Sequence, residues 1–319
     1  MIPSIDLGSW AEGAVDWLRT NAAPLFDGIG AALSWLVLGV TGVLEAPPIP
    51  VLIVVLALIA VVRRRWGLAV YAVLAFGLVA AMELWQETME SLALVLVATA
   101  AATVIGVPLG ILAARSAVFS AVLRPILDFL QTTPAFVYLI PTVFFFGIGV
   151  VPGVVATLVF AVAPAVRFTE LGIRQVDSGV REAADAYGAS SWQRLREVEL
   201  PLASATIMAG VNQVIMLALS MVVVAGLAGA GGLGSVVTSA VTQLDVAAGF
   251  EGGLAVVLVA IYLDRVTAAA PNKRRGFRSS PGSSQRTRRT DPSGTDAGES
   301  SGPANNLGEA GTSPTVRVE

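Results

Sequence analysis

The stretch SLALVLVATAAATVIGVPLGILAA, residues 91–114, runs for 24 residues without a charged side chain. An α-helix needs about 20 mostly apolar residues to cross the hydrocarbon core of a bilayer. This stretch therefore predicts a transmembrane helix. Pro108 lies inside it, and a membrane helix accommodates proline when its neighbours satisfy the freed backbone groups.

Six further apolar stretches lie on either side and qualify as spans, some near the lower limit of about 17 residues. They are residues 47–62, 66–83, 125–147, 152–168, 201–227 and 249–265. The composition agrees, because 55% of the 319 residues are hydrophobic and only 13% are charged, whereas a soluble domain carries about 25% charged residues. We therefore predict an all-α integral membrane protein with about seven transmembrane helices.

Orientation is predicted from the lysine and arginine residues, since cytoplasmic loops are enriched in them. An N-terminus outside the cell places 19 of the 20 basic residues on the cytoplasmic side and leaves only Arg19 outside. We therefore expect the N-terminus outside and the C-terminus inside. No cleaved signal peptide is recognisable, so the first transmembrane helix is expected to direct insertion.

Residues 29–44 are apolar but short for a span. Trp17 and Trp35 lie along this region, and indole rings favour the headgroup level. An interfacial helix is the favoured interpretation. The alternative is an eighth span, which would put the N-terminus inside.

The chain contains neither cysteine nor histidine. Disulfide bonds, Cys/His metal sites and catalysis through an imidazole or a thiolate are therefore excluded. The motif G-x-x-x-x-G-K-[ST] is also absent, because the single lysine, Lys273, follows Asn and Pro. Without that phosphate-binding loop we do not expect this chain to hydrolyse ATP or to act as an enzyme.

A long loop between the fifth and sixth predicted spans reads RFTELGIRQVDSGVREAADAYGASSWQRLREVELPL, residues 167–202. Good helix formers predict a short helix at about 178–187, and Gly188 fits its C-terminal cap. Ser190 or Ser191 fits the N-terminal cap of a second short helix.

The second helix of this loop carries Trp192, Leu195 and Val198 at a spacing of three residues, which predicts one apolar stripe. Pro201 then fits the first turn of the sixth span. The stripe either packs on the cytoplasmic ends of the spans or enters a groove of a partner, and periodicity leaves both possibilities open.

The spacing of the loop resembles the EAA loop of binding-protein-dependent ABC importers, with Val198 where that family usually has isoleucine. In the family this loop forms a coupling helix that docks into a cleft of the ATPase subunit. The resemblance therefore implies an ATPase-coupling role for Glu182, Ala183, Ala184, Gly188, Leu200 and Pro201.

A narrower resemblance covers residues 85–267, including LRPILDFLQTTPAFVYLIPTVFFF at 123–146 and LPLASATIMAGVNQ at 200–213. These segments look like the glycine betaine/proline (ProU-type, ProW-like) permease subunits. The resemblance implies the type I ABC importer permease fold and osmoprotectant uptake through the cell membrane. It also implies a separate ABC ATPase that holds ATP and Mg²⁺, an extracellular substrate-binding protein and a second permease copy. No cofactor on this chain and no nucleic-acid partner are expected.

Domain bounds follow from these features. Residues 1–46 form an extracellular or interfacial region, 47–84 two transmembrane helices, 85–268 the permease domain with its EAA loop at 170–201, and 269–319 a cytoplasmic tail. The tail is rich in Gly, Ser, Pro and Thr and is predicted to be disordered. Its basic half could instead contact anionic lipid headgroups.

Candidate path-lining residues are selected polar and aromatic side chains and one methionine in the fourth and sixth spans. They are Gln131, Thr132, Phe136, Tyr138, Asn212, Gln213, Met216 and Ser220. Such side chains also join membrane helices by hydrogen bonds, and this alternative stays open.

An ion-coupled carrier or a channel for small zwitterions is the rival class of protein. It is disfavoured because Asp128 and Asp264 are both interpreted as helix-end residues rather than mid-membrane acids. The glycine-rich run 225–234 cannot be regular helix throughout, and it is either an extracellular turn or a gate.

Overall fold

The computed structural model describes residues 7–62 and 66–267, which form helices and no strand. The predicted tail lies outside the described residues. The helices are α1 Leu7–Asn21, α2 Ala23–Glu45, α3 Ile49–Val62, α4 Trp66–Ala81, α5 Trp85–Arg115, α6 Ala117–Thr132, α7 Ala135–Phe146, α8 Val150–Arg174, α9 Ser178–Ala186, α10 Ser191–Gln193, α11 Leu200–Leu227, α12 Gly232–Gln243 and α13 Val246–Thr267. The all-α prediction is confirmed.

Within the described residues, five helical segments are long and apolar enough to cross a bilayer. They are α2, α5, α8, α13 and the continuous segment Ser191–Leu227, which contains α10 and α11. The helices predicted at 91–114, 152–168, 201–227 and 249–265 fall within this set. Helices α6 and α7 together pass the same test as a sixth, bent span.

The span predicted at 125–147 is bent, because α6 and α7 meet at 99°. The break falls at Thr133, which has an extended backbone with φ −73° and ψ 130°. The ring of Pro134 disfavours helical geometry in the residue before it, so α6 ends there.

The first two predicted spans are shorter than expected. Helices α3 and α4 contain 14 and 16 residues, which correspond to about 21 and 24 Å at a rise of 1.5 Å per residue. Both lengths are below the roughly 30 Å of a bilayer core. The two helices pack against each other and against α13, where Tyr262 donates a hydrogen bond to the carbonyl of Leu56 at 2.9 Å.

Residues 29–44 lie within α2, which extends to 23 residues because Ala23–Gly28 join the same helix. Its length and hydropathy meet the requirement for a span, although the apolar core of the sequence suggested an interfacial helix. Helix α2 packs along α5 and α8 through a cluster that includes buried Val37.

The centre of the fold is a close packing of α5, α8 and α11. A Cβ at Gly106 would lie 2.5 Å from the Cβ of Ala165, and one at Gly110 would lie 2.6 Å from the Cβ of Thr169. Because the pairs follow the same chain order, α5 and α8 run parallel. Small residues allow this approach between helix backbones, as is common in membrane proteins.

Helix α11 returns antiparallel to α8, since Gly172 lies beside Ala203 and Gly210 lies beside Phe168. The loop between α8 and α11 therefore lies at the end where α5 and α8 finish. The opposite end holds the loop before α8, where the amide of Gly149 donates to the carbonyl of Ala228 at 2.9 Å.

The glycine-rich run 225–234 is non-helical only between α11 and α12. Gly229, Gly231 and Gly232 have positive φ, which explains the glycines there. The turn is also anchored, because Gly232 N donates to Glu90 Oε2 at 2.7 Å. The predicted turn is thus present, at the end of the bundle opposite the long loop.

Candidate functional site: the loop between α8 and α11

Helix α9 begins as the sequence predicts. The side chain of Asp177 accepts hydrogen bonds from the amides of Gly179 at 2.8 Å and Val180 at 3.2 Å. This N-terminal cap satisfies amide groups that have no partner inside the helix. No side chain of Ser178–Ala186 is buried, so Glu182 and Ala183 remain exposed on the surface.

Gly188 ends this helix with φ +79°. The amide of Gly188 donates to the carbonyl of Asp185 at 2.9 Å, and that of Ala189 donates to Ala184 at 3.0 Å. Glycine adopts this left-handed conformation without the penalty that a Cβ carries. A Cβ at Gly188 would meet no atom within 4 Å, so this position faces open space.

The second helix of the loop is capped by Ser190. The amide of Gln193 donates to Ser190 Oγ at 3.3 Å, while the amide of Ser190 donates to Gln193 Oε1 at 2.9 Å. These reciprocal bonds form a capping box. Of the two serines that the sequence offered, Ser190 is therefore the cap.

Helix α11 begins at Leu200 with Pro201 in its first turn, as the sequence predicts, but no loop precedes it. Helix α10 continues through a π-helical turn, Arg194–Glu199, directly into α11. The amide of Leu200 bonds the carbonyl of Leu195, five residues back. Proline lacks a donor and its ring crowds the carbonyl four residues earlier, so the wider turn before Pro201 accommodates both effects.

The predicted apolar stripe is divided by this turn. Leu195 is buried and packs with Ile173 and Ala203 at the ends of α8 and α11. Trp192 is 66% exposed, and Tyr187 is 93% exposed. One part of the stripe therefore packs on the spans, and the loop also presents aromatic side chains outward.

A chain of ion pairs crosses the loop, and the sequence analysis missed it. Glu199 is 3% exposed and lies 3.3 Å from both Arg115 and Arg194. Arg194 also donates to both carboxylate oxygens of Asp185 at 2.7 Å, and Arg115 donates to the carbonyl of Ser191 at 2.8 Å.

The sequence held one indication that Glu199 is buried, because Glu199 follows Leu195 of the apolar stripe by four residues. Residues at i and i+4 share one helix face, so an apolar residue in the stripe implies a buried neighbour. A similar buried carboxylate is Glu170 in α8, which accepts from Ser120 at 2.7 Å and pairs with Arg174 at 2.9 Å and Arg124 at 3.4 Å.

The candidate path residues lie on α6, α7 and α11 and do not share one surface. Tyr138 is buried beside Met221 and donates to the carbonyl of Leu130 at 2.7 Å. Met216 and Ser220 instead border a groove of about 420 Å³ between α11 and α13. Gln131, Thr132, Phe136 and Gln213 are exposed.

Asn212 joins two helices. Its amide nitrogen donates to Asp264 at 3.1 Å, and its amide oxygen accepts from Thr267. The alternative of interhelical hydrogen bonding therefore describes Asn212. The two acids considered for ion coupling are paired as well, Asp128 with Arg167 and Asp264 with Arg265 at 3.9 Å.

The family model "Binding-protein-dependent transport system inner membrane component" matches residues 106–273, more than half of the chain. The chain belongs to this family. The matched residues include α8, the loop and α11, so the site described above lies within the part of the chain that the family model covers. The chain is therefore the multi-pass membrane component of such a transport system.

Curated relatives extend the similarity over most of the chain. The glycine betaine/carnitine transport permease protein GbuB of Listeria monocytogenes is 46% identical over 277 residues, covering 85% of this chain and 98% of its own. The glycine betaine transport system permease protein OpuAB of Bacillus subtilis is 48% identical, with 83% and 94% covered. ProW of Escherichia coli, a glycine betaine/proline betaine permease, is 46% identical, with 83% and 75% covered.

Solved structures show the same fold. An inward-facing MetNI methionine ABC transporter structure matches with a TM-score of 0.54 at 22% identity. The match covers 58% of this chain and 95% of that chain. The fold is thus that of an ABC importer permease.

Proposed function

We propose that this chain forms the translocation path of an ABC importer for glycine betaine and related compatible solutes. The geometry of the loop between α8 and α11 carries the proposal. Exposed α9, the left-handed turn at Gly188 and the outward-facing Trp192 form a surface suited to a partner protein. The betaine-type substrate is supported by the similarity to glycine betaine permeases over most of the chain.

The energy for transport would come from a separate ABC ATPase subunit that docks on α9. This chain holds no phosphate-binding G-x-x-x-x-G-K-[ST] loop, so ATP and Mg²⁺ would be bound by that subunit. An extracellular substrate-binding protein would deliver the solute to the end of the bundle that contains Gly149 and Ala228. Closure of the ATPases would then shift the path between inward-facing and outward-facing states through different contacts in each state.

We infer that two copies of the permease enclose the path, with the N-terminus outside, α2 at the membrane interface and the loop in the cytoplasm. Exposed polar side chains on α6 and α11, including Gln131, Gln213 and Ser220, remain the candidates for lining it. A second copy supplies the opposite wall that a single bundle of helices would need.

An ion-coupled carrier is the competing function, and the paired state of its candidate acids disfavours it. Asp128 and Asp264 each lie beside an arginine near a helix end. An ion-coupling acid requires access to the transported ion near the middle of the membrane.

Uptake of labelled glycine betaine into vesicles tests the proposed function. The vesicles contain this chain, and the neighbouring ATPase and binding protein are added or omitted. We expect uptake only with all three proteins and ATP. Uptake driven by an ion gradient with this chain alone would refute the proposal and return attention to Asp128 and Asp264.

Gly188→Asp tests the docking surface separately. Because a Cβ at Gly188 meets open space and Asp tolerates the left-handed conformation better than most residues, the permease should still insert and fold. The added charge faces the partner, so we expect loss of ATPase association and of transport. Gly188→Asn is the uncharged control of similar size. Normal uptake in Gly188→Asp would contradict the docking assignment.

A further inference from the structure

Helix α9 lacks an apolar attachment to the membrane helices, since none of its side chains is buried. Arg181 ties it to the preceding linker by donating to the carbonyl of Val176 at 2.6 Å. Its side-chain link to the following helix is Asp185, which binds Arg194 at 2.7 Å. Arg181 also donates to the carbonyl of Arg174, the last residue of α8, at 3.3 Å. A displacement of α9 can therefore reach the end of α8 through Arg181, but its side-chain route to α5 and α11 is the Asp185–Arg194 contact.

The contact at Asp185 continues into the membrane domain. Arg194 Nε lies 3.3 Å from Glu199 Oε1, and Glu199 Oε2 lies 3.3 Å from Nη2 of Arg115. Arg115 is the last residue of α5, and Glu199 directly precedes α11. The sequence of pairs Asp185–Arg194–Glu199–Arg115, hereafter the relay, thus joins α9 to two central helices.

Burial gives the relay a stiffness that exposed ion pairs lack. The side chain of Glu199 is 5% exposed, whereas that of Asp185 is 50% exposed. A buried carboxylate is stable only while it remains paired. Movement of either arginine away from Glu199 would remove one of the two partners of this buried charge, so the two arginines and the helices that carry them are expected to move together.

We propose that Glu199 is a positioning residue that transmits displacement of α9 to α5 and α11. The inference rests on the proposed function, because it separates the part of the loop that docks from the part that transmits. Docking depends on the exposed face of α9, and transmission depends on Glu199 beneath it. Loss of Glu199 therefore uncouples ATP hydrolysis from solute movement and leaves the partner bound.

Glu199→Gln tests the relay in the assembled transporter. The measurements are co-purification of the ATPase, ATP hydrolysis and glycine betaine uptake in vesicles. We expect association and hydrolysis to stay within about twofold of wild type, while uptake per ATP falls about tenfold, which is within the range of site-to-site coupling. Glu197→Gln is the matched control, because Glu197 is exposed in the same π-helical turn, and it should leave all three quantities unchanged.

Asp185→Asn provides a second variant that does not disturb a buried site. It removes charge from the other end of the relay and should lower uptake per ATP in the same way. The double variant Asp185→Asn/Glu199→Gln should lose little more than Glu199→Gln alone, since residues acting in one series are not additive. If Glu199→Gln fails to fold, Asp185→Asn alone decides the question.

Two results would overturn the relay. One is a normal ratio of uptake to hydrolysis in Asp185→Asn or Glu199→Gln. The other is a parallel loss of uptake and hydrolysis, which indicates a defect of assembly or of the ATPase cycle. Failure of the proposed function is distinct, because wild-type chain would then show no ATP-dependent uptake and no bound ATPase.

Discussion

Replacement of Gly110 by alanine tests the close packing of α5 on α8. The added Cβ would lie 2.6 Å from both the Cβ of Thr169 and the carbonyl oxygen of Val166. Carbon atoms in contact prefer about 3.5–4.0 Å, so the two helices would have to separate by roughly 1 Å. Overpacking of this kind costs about 1–3 kcal/mol, because backbone atoms cannot rotate away as a flexible side chain can.

Thermal unfolding of the purified permease in detergent, followed by circular dichroism, measures this cost. A loss of 1 kcal/mol lowers Tm by about 2–4 °C in a chain of roughly 150–250 residues, so Gly110→Ala should lower it by several degrees. Gly77→Ala is the matched control, since a Cβ there meets nothing within 4 Å in α4. It should raise stability slightly through helix propensity, by at most about 1 kcal/mol. Equal Tm values in the two variants would refute the packing argument.

Three further substitutions test other parts of the fold. Pro201→Ala restores a backbone donor, so we expect a regular α-helical turn to replace the π-helical turn. This change should displace the loop and weaken ATPase binding several-fold, as measured by a pull-down titration. Glu90→Gln removes the negative charge that accepts the hydrogen bond from the amide of Gly232. We expect it to destabilise the start of α12 by about 0.3–1 kcal/mol and to speed amide hydrogen exchange there. Unchanged exchange would contradict the anchoring role of Glu90. Tyr262→Phe loses the buried bond to the carbonyl of Leu56 and should cost about 1 kcal/mol, visible as a lower Tm.

Local sequence determined the elements that depend on neighbouring residues. A long run of apolar residues is sufficient for a membrane helix because the bilayer accepts no unsatisfied backbone, and residues 91–114 lie in α5 as predicted. The cap at Gly188 depends on one backbone conformation, and the structure has it at φ +79°. Family membership was also readable, because the motif of the loop has a fixed spacing between Glu182 and Pro201.

Other features of the fold depend on packing between helices, which the local sequence does not show. Pro134 signalled a possible break, but the 99° bend between α6 and α7 depends on how both helices pack against α8 and their neighbours. Pro201 lies in the first turn of α11 as predicted, but the sequence did not show that α10 and the π-helical turn run into α11 without a break. The orientation of the chain and the path-lining role of residues such as Gln213 stay predictions.

The sequence by itself determined that the chain forms membrane helices and that a long loop with two capped short helices joins two of them, because hydropathy and helix caps act over a few residues. Only the tertiary structure decided which polar groups meet. Arg115 and Glu199 are 84 residues apart and lie 3.3 Å from each other, and Asn212 reaches Asp264 across 52 residues. Such pairs form where packed helices bring residues that are distant in sequence to the same level of the bundle. A buried charge at that level is stable only when it is paired.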